Sequence, residues 1–509
     1  MAALDAPSKL AVSLESKFQR DLNRTCDEDR NTRKRGLQKL LEDVPWAKKS
    51  QREDLKAFVS RSVWKAMIPR ISDPVEKCRE LALQILKRCL EKCTDLSFDY
   101  LHELTVNLCA RISEVPFPEP AEEIRLLVLE VLLMVKQHIT LVDMARNAIA
   151  AGGSGEEQNN EKNLVTGLEE KIAQALVKGL TDSFPSVKRV GAELLVSICF
   201  SSPAVVRTHF KALLKALQTN SGHQHSKTRT VTLQAIGRGL NSLGLEEYQK
   251  LLRDPILSIY LRTATDRTAS VRCELARVCA RTLRHRIQES TARDNAALLP
   301  EDFELVVLLF LLHGDGVEEV AEAARAQLVL AVQHWHDALL PTLPSRQQQE
   351  DEGGGEVDVP IGRSSSRINN NIEDAEVAMK QVAISADSAA GNAVPVSASI
   401  DDDDNDGCDV SDDSKLREFV SLNLREILDI MQSGIESWTT DSRKRYLNAL
   451  HCLMRYATAP ININNNNSSN KLLPYSRCSG SSNSIRCWIQ CQQGGTLLEK
   501  LFKWIKSRI

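Results

Sequence analysis

His223 and His225 stand two residues apart in Ser221-Gly-His-Gln-His-Ser226. That pattern could hold a metal ion if a cysteine or carboxylate completed it, and the flanking sequence offers neither, so it is read as a turn between helices. Cys89 and Cys93 share a helix face at i and i+4, as do Cys487 and Cys491. Neither pair has redox or zinc-ribbon spacing, and the first lies on an apolar face, which favours core packing. The run Asp401-Asp-Asp-Asp-Asn-Asp-Gly-Cys imitates the start of a Ca²⁺ loop but lacks the glutamate expected at position 12 of an EF-hand, so it is read as a solvated tract without a ligand. No phosphate-binding Gly-rich loop, nucleophile elbow or His-Glu-x-x-His pair is found. The expectation is a binding protein, not an enzyme, with no metal and no cofactor.

The remaining chemistry is that of paired charges at fixed spacing. Asp73 is followed by Cys78, Arg79 and Ala82, at offsets of 5, 6 and 9. Asp182 has Val187, Lys188 and Gly191 in those places, and Asp266 has Val271 and Arg272, with Ala276 one place late. Asp315 has Val320 and Ala324, with Ala321 in the basic slot. Weaker copies start at Asp27 (Thr32, Arg33, Gly36), Glu119 (Ile124, Arg125, Val128) and Ser226 (Val231, Thr232, Ala235). The acid is expected to cap a second helix. The next slot should face the core, the base should leave it, and the small residue should admit a neighbouring helix. The basic residues Arg79, Arg125, Lys188 and Arg272 could line a partner groove. The favoured alternative is a ladder in which each bonds the acid of a neighbouring repeat.

The starts are separated by 46, 46, 63, 44, 40 and 49 residues. Five of those six intervals lie near the ~40–47-residue period of HEAT and armadillo repeats. The sixth spans the polar stretch Ala150–Lys162, expected to be a flexible loop that supplies the excess. The fold class is therefore all-α: a solenoid of stacked helix pairs, each burying its face against its neighbours. Expected first helices cover 54–70, 100–112, 168–180, 205–217, 249–262 and 301–312. Expected second helices cover 79–92, 124–139, 187–199, 231–240, 271–287 and 320–335. An opening helix repeats Leu10, Leu14, Phe18 and Leu22 at spacing 4.

Composition limits the partners. Of 509 residues, 42% are hydrophobic and only 5% aromatic, which suits helix pairs packed through aliphatic side chains. Residues 345–414 hold 17 acidic and 4 basic side chains and no aromatic, and are expected to form a disordered acidic insertion. With that stretch and the basic tail 460–509 set aside, the repeat body is near +4, too weak for a nucleic-acid footprint. The apolar run Ile124–Val135 is interrupted by Arg125 and Glu130 and is too short for a bilayer. Thirteen cysteines spread through helices read as reduced thiols of a cytoplasmic protein, and the opening Met-Ala-Ala-Leu-Asp-Ala-Pro lacks a signal-peptide layout. The expected domains are a solenoid over 1–344, the insertion 345–414, a further repeat over 415–459 and an atypical tail over 460–509. That tail does not continue the repeat and reads as the divergent end of a longer protein.

Several passages carry a family likeness. They are Cys26-Asp-Glu-Asp-Arg-Asn-Thr-Arg-Lys-Arg-Gly-Leu, Ser72-Asp-Pro-Val-Glu-Lys-Cys-Arg-Glu-Leu-Ala, the Pro116/Pro118/Pro120 approach to Glu122-Glu-Ile-Arg-Leu, Leu180-Thr-Asp-Ser-Phe-Pro-Ser-Val-Lys, and Trp438-x4-Arg443. Together they resemble the HEAT-repeat-containing dynein axonemal assembly factors, over roughly residues 14–345 and 416–459. The resemblance implies a non-enzymatic cytoplasmic scaffold for pre-assembly of axonemal dynein arms. Its implied partner is dynein intermediate chain or another arm subunit, with chaperones or other assembly factors as further candidates. A microtubule- or tubulin-binding array is the second expectation, carried by Trp46 with Lys48 and Lys49, and a transport or phosphatase scaffold is the third.

Overall fold

The computed structural model describes residues 9–46, 52–93, 96–113, 119–150, 155–291, 298–339, 410–435 and 440–457. Every element among the described residues is helical. The helices up to Glu289 form one compact unit, and those of Ser290–Leu340 and beyond Asp406 form another.

In the first unit, α1 (Lys9–Thr25) opens the stack and buries Leu14, Phe18 and Leu22, as their spacing predicts. The first helices that follow are α3 (Arg52–Phe58) running through a π turn into α4 (Trp64–Met67), α6 (Phe98–Ser113), α8 (Gly155–Leu180) and α10 (Pro203–Asn220). The second helices are α2 (Arg30–Asp43), α5 (Glu76–Lys92), α7 (Glu122–Ala150), α9 (Pro185–Ser201) and α11 (Ser226–Asn241). Second helices pack in succession, α2 on α5, α5 on α7, α7 on α9 and α9 on α11. First helices do the same, α6 on α8 and α8 on α10, and each layer closes on the other through pairs such as α6 with α7. The core between the layers is aliphatic, with Leu37, Leu83, Leu132, Leu176 and Leu194 fully buried.

The long interval between Glu119 and Asp182 has a different origin from the one expected. α7 runs for 29 residues and α8 for 26, so residues 155–162 are the first turns of α8 and not part of a loop. Extending a helix that already exists avoids a new nucleation step, and the Glu, Gln and Lys residues there have good helix propensity. A second departure lies at the expected helix 249–262. It is divided into α12 (Leu245–Leu251) and α13 (Leu257–Ala264), because Asp254 before Pro255 is extended, at φ −151° and ψ 119°. Proline removes a helix donor and drives the preceding residue out of the helical region. α14 (Ala269–Thr291) ends this unit.

The second unit is built around α15 (Pro300–His313), whose residues 305–312 are all buried, the pattern of a helix covered on every side. It is covered by α16 (Glu318–Leu339), α17 (Val410–Ile435) and α18 (Thr440–Ala457). Trp335 meets Phe419 edge-on at 5.0 Å, and Asn448 Nδ2 donates to Gly314 O at 3.3 Å. Residues 410–414, expected to belong to the acidic insertion, begin α17. The rest of that stretch, including Asp401–Asp404, lies outside the described residues, as do Lys48, Lys49, Cys487, Cys491 and the tail 460–509.

Candidate functional site: a forked arginine edge and the second-helix wall

The repeat starts line one edge of the first unit, where each first helix turns into its second. There the acid does not sit at the helix N-cap as expected. Asp73 Oδ1 accepts from the N–H of Val75 at 2.9 Å, Asp182 Oδ1 from Phe184 at 2.8 Å and Asp266 Oδ1 from Thr268 at 2.8 Å. In the second unit Asp315 does the same with Val317 at 2.9 Å. Each is an Asx-type turn that closes the loop before the helix begins. The slot that follows is core: Cys78, Val187, Val271 and Val320 have no exposed surface. Ala82 and Ala324 are likewise buried, and at Gly36 a Cβ would lie 2.8 Å from Asp21 O, so only glycine admits α1 there.

The base does not leave the core either. Arg79 and Arg272 are 6% and 5% exposed. Arg79 Nε and Nη2 bind both oxygens of Glu119 in the next repeat at 2.8 and 2.6 Å, and Nη1 ties back to Asp73 O at 2.9 Å. Arg33 grips Asp73 in the same way, at 2.9 and 3.2 Å, with Nη1 on Asp27 O and Glu28 O. Arg125 grips Asp182 at 2.6 and 3.0 Å, with Nη1 on Glu119 O and Pro120 O. A planar guanidinium fits this double duty, because two N–H groups address a carboxylate while a third closes its own loop. Burial pushes Glu119 upward, but the Arg79 and Arg111 hydrogen bonds outweigh it and hold the carboxyl below its ordinary range. The hydrogen bond to Asp182 raises Arg125 further.

The fifth repeat is framed three residues earlier than expected. Arg229, not Thr232, holds the basic slot: it grips Asp266 at 2.7 and 2.8 Å and donates to His223 O and Gln224 O. The repeat therefore starts at His223, Thr228 and Thr232 are its buried core and close-approach residues, and Val231 is half exposed. His223 takes the part of the missing acid in the turn, its Nδ1 accepting from the N–H of His225 at 3.1 Å. Lys188, the base of the repeat before, faces this imidazole with no ion pair among the described residues. Burial first, then Lys188, His225 and Arg229, lower the His223 pKa, so the ring is held neutral. Arg272 Nη1 keeps the tie to Asp266 O, and Arg445 of α18 lies 3.9 Å from Asp315.

Above this edge, α2, α5, α7, α9, α11 and α14 present a continuous wall. Lys87 bonds Glu130 across α5 and α7 at 2.8 Å, and Gln234 bonds Glu274 across α11 and α14 at 3.1 Å. Arg238 covers the ring of Phe200 at 4.0 Å. Phe200 and Leu141 are 37% and 46% exposed, so the wall mixes charge pairs with isolated apolar points. Cys109 and Cys199 are poor nucleophiles, because burial pushes their thiols up to about 12. Cys89 and Cys93 are core, as their face implies. Among the described residues, no group of three or more His, Cys, Asp or Glu is placed to hold a metal, and no helix is long and apolar enough to cross a membrane.

One buried pair was not anticipated. Lys136 and Glu169 meet at 2.7 Å with side chains only 1% exposed, and Thr140, Ser201 and Ser202 complete their hydrogen bonds. The available signal was position: Lys136 continues the spacing-4 stripe of Val128 and Leu132. A charge on a core stripe implies a buried partner.

The family profile described as dynein axonemal assembly factor 5-like, TPR repeats, matches residues 25–146 and 158–290, half of the chain. The chain belongs to that family. The matched residues carry every forked rung and nearly the whole wall. Dynein axonemal assembly factor 5 of Xenopus laevis is 26% identical over 239 residues, which cover 46% of this chain and 25% of that protein. The Mus musculus protein of the same name is 29% identical over 179 residues, 34% of this chain and 18% of that protein. The match thus spans about a quarter or less of these relatives. Solved structures similar to the chain include a designed armadillo repeat protein in complex with the peptide (KR)4, 17% identical with a TM-score of 0.35, covering 53% of this chain and 98% of that one. An engineered protein covers 86% of this chain and 98% of its own at 13% identity, with a TM-score of 0.36. The solenoid is assigned from the chain's own helix order and packing.

Proposed function

We propose that this chain is a non-enzymatic scaffold for the pre-assembly of axonemal dynein arms in the cytoplasm. In this reading it holds dynein intermediate chain or another arm subunit on the wall of second helices. The observation that carries it is the family match over 25–146 and 158–290, the residues that build that wall. A row of helices locked at one edge by forked rungs offers many small contacts to an extended partner, while each repeat keeps its own fold. Isolated apolar points between charge pairs favour a grip that is broad and reversible.

The test is affinity purification of the tagged chain from ciliated cells, with dynein chains and tubulin both quantified. Dynein chains should be enriched, imaging should show the protein in the cell body, and its depletion should remove dynein arms from cilia that still form. Enrichment of tubulin without dynein, with arms intact after depletion, would replace this reading by the microtubule-binding one.

A further inference from the structure

A cleft of about 710 Å³ opens in the wall where the end of α2, the second half of α5 and the start of α7 meet. Its size lies within the ~300–1,000 Å³ range of clefts that bind ligands. The floor is apolar, formed by Leu41, Val44, Trp46 and Leu127. Trp46 has already used its one polar atom, since Nε1 donates to Leu41 O at 3.0 Å, so it can offer a ligand only ring surface. The rim is charged and comes from α5: Lys87, Arg88 and Lys92 against a single acid, Glu91. Lys87 is paired with Glu130, and Arg88 with Glu91 at 3.2 Å, the latter pair 52% and 30% exposed. Lys92 has no ion pair among the described residues. The lining thus carries a surplus of positive charge beside an apolar floor.

We propose that this cleft is a docking groove for a short segment of a partner protein in which a bulky apolar side chain is flanked by carboxylates. The apolar side chain fills the floor between Trp46 and Leu127, and the carboxylates bind Lys92 and compete with Glu91 for Arg88. Charge complementarity selects an acidic segment, and the apolar floor requires an anchor that an acidic tract alone does not supply. The chain's own acidic stretch 345–414 contains no aromatic residue to lay against the Trp46 ring, which favours a partner, and occupancy by Ile400 with Asp401–Asp404 is an outcome the test below separates. An anchor in a pocket ringed by polar contacts is the usual arrangement of a binding hot spot. The proposal deepens the scaffold reading and rests on it only in placing a partner on the second-helix wall.

The test uses the full chain and a fluorescein-labelled 12-residue peptide of Asp and Glu around one Leu and one Trp. Three control peptides replace the acids by Asn and Gln, the Leu and Trp by Ser, or the acids by Lys. Anisotropy should show at least tenfold tighter binding of the acidic apolar peptide than of any control. The double variant Arg88→Glu with Lys92→Glu, at an exposed and a half-buried position, should lose that binding at least tenfold and gain the Lys peptide, a swap that misfolding does not produce. Replacing 345–414 by a Gly/Ser linker should leave the affinity unchanged. Equal binding of the Ser control, no effect of the double variant, or a tenfold gain on removing 345–414 would each overturn the proposal. Capture of dynein chains is then compared between wild type and double variant. Capture by the variant at the wild-type level would overturn the groove's role, whereas no capture by wild type would defeat the scaffold reading and leave the peptide result to decide the groove.

Discussion

Between the repeats that start at Asp73 and Glu119, an arginine fork locks a buried carboxylate; between those that start at Asp182 and His223, a lysine faces an imidazole. Both joints place a small or apolar residue in the core slot, Cys78 in one and Val187 in the other. Both use the same turn, closed by an acceptor that takes the N–H two residues on. They differ in whether opposite charges meet: the unforked joint is tied instead by the buried Asn220, whose Nδ2 donates to Leu180 O at 2.7 Å. The second helices on either side of the unforked joint, α9 and α11, still pack against each other. Two repeats therefore stack without an ion pair at their joint, and the fork adds orientation and a penalty for any arrangement that leaves a buried charge alone.

The largest loss is expected at the apolar packing the two joints share. Val187→Asp buries a carboxylate in the joint without the fork and should cost about 4 kcal/mol or more. A melting temperature at the wild-type value would show that this joint does not rest on its core. Next comes the contrast between bases. Arg79→Ala leaves Glu119, 1% exposed, with the Ala121 N–H and Arg111 as its one remaining cation and should cost roughly 3–5 kcal/mol, whereas Lys188→Ala should stay within about 0.5 kcal/mol. Urea unfolding of the two variants side by side decides it, and equal losses would mean that the fork is not what separates the joints. Ala82→Leu tests the close approach instead of the charge and should overpack α5 by ~1–3 kcal/mol.

A fork can also be installed at the joint that lacks one. The double substitution Lys188→Arg with His223→Asp recreates the forked pair and should stabilise the chain by about 1 kcal/mol, with slower amide exchange at the start of α11. The smallest effect is on pH. His223 has a folded pKa below its unfolded value near ~6.5, so its neutral form favours the fold. That contribution is fully present above the unfolded pKa and is lost as pH falls through the folded one. His223→Gln should therefore flatten part of the decline in melting temperature between about pH 7 and pH 5. A curve unchanged by the substitution would show that the ring protonates as easily folded as unfolded. Glu119 has the same sign at lower pH, its stabilisation fading as acid protonates it below the ordinary carboxylate range.

Much of the fold was legible because it is local. Spacings of three and four set the helices, Pro341 and Pro344 follow the end of α16 at Leu339, and the recurrence of an acid, a core residue and a base set the repeat phase wherever all three were ordinary. The fifth repeat was misframed because Val231 and Ala235 make a better apolar match than Thr228 and Thr232, which are buried all the same. A threonine is small enough for a core slot even where, as at Thr232, its buried hydroxyl finds no hydrogen-bond partner among the described residues, so core position and apolar type are not the same signal. The stretch 155–162 was misread for a related reason: polar composition resembles a loop, while its propensity suits a helix already under way.

The periodicity of short segments is enough to set an all-helical solenoid, the order of its helix pairs and which side chains belong to its apolar faces. That Arg125 meets Asp182, 57 positions away, and that Lys136 meets Glu169 in the core follows from packing between repeats. The same packing brings Leu41, Trp46, Lys92 and Leu127, from three successive repeats, to the border of one cleft. Helix periodicity tells a residue which way to face, but what it faces depends on how far neighbouring repeats are displaced and turned, and that is fixed by packing between layers.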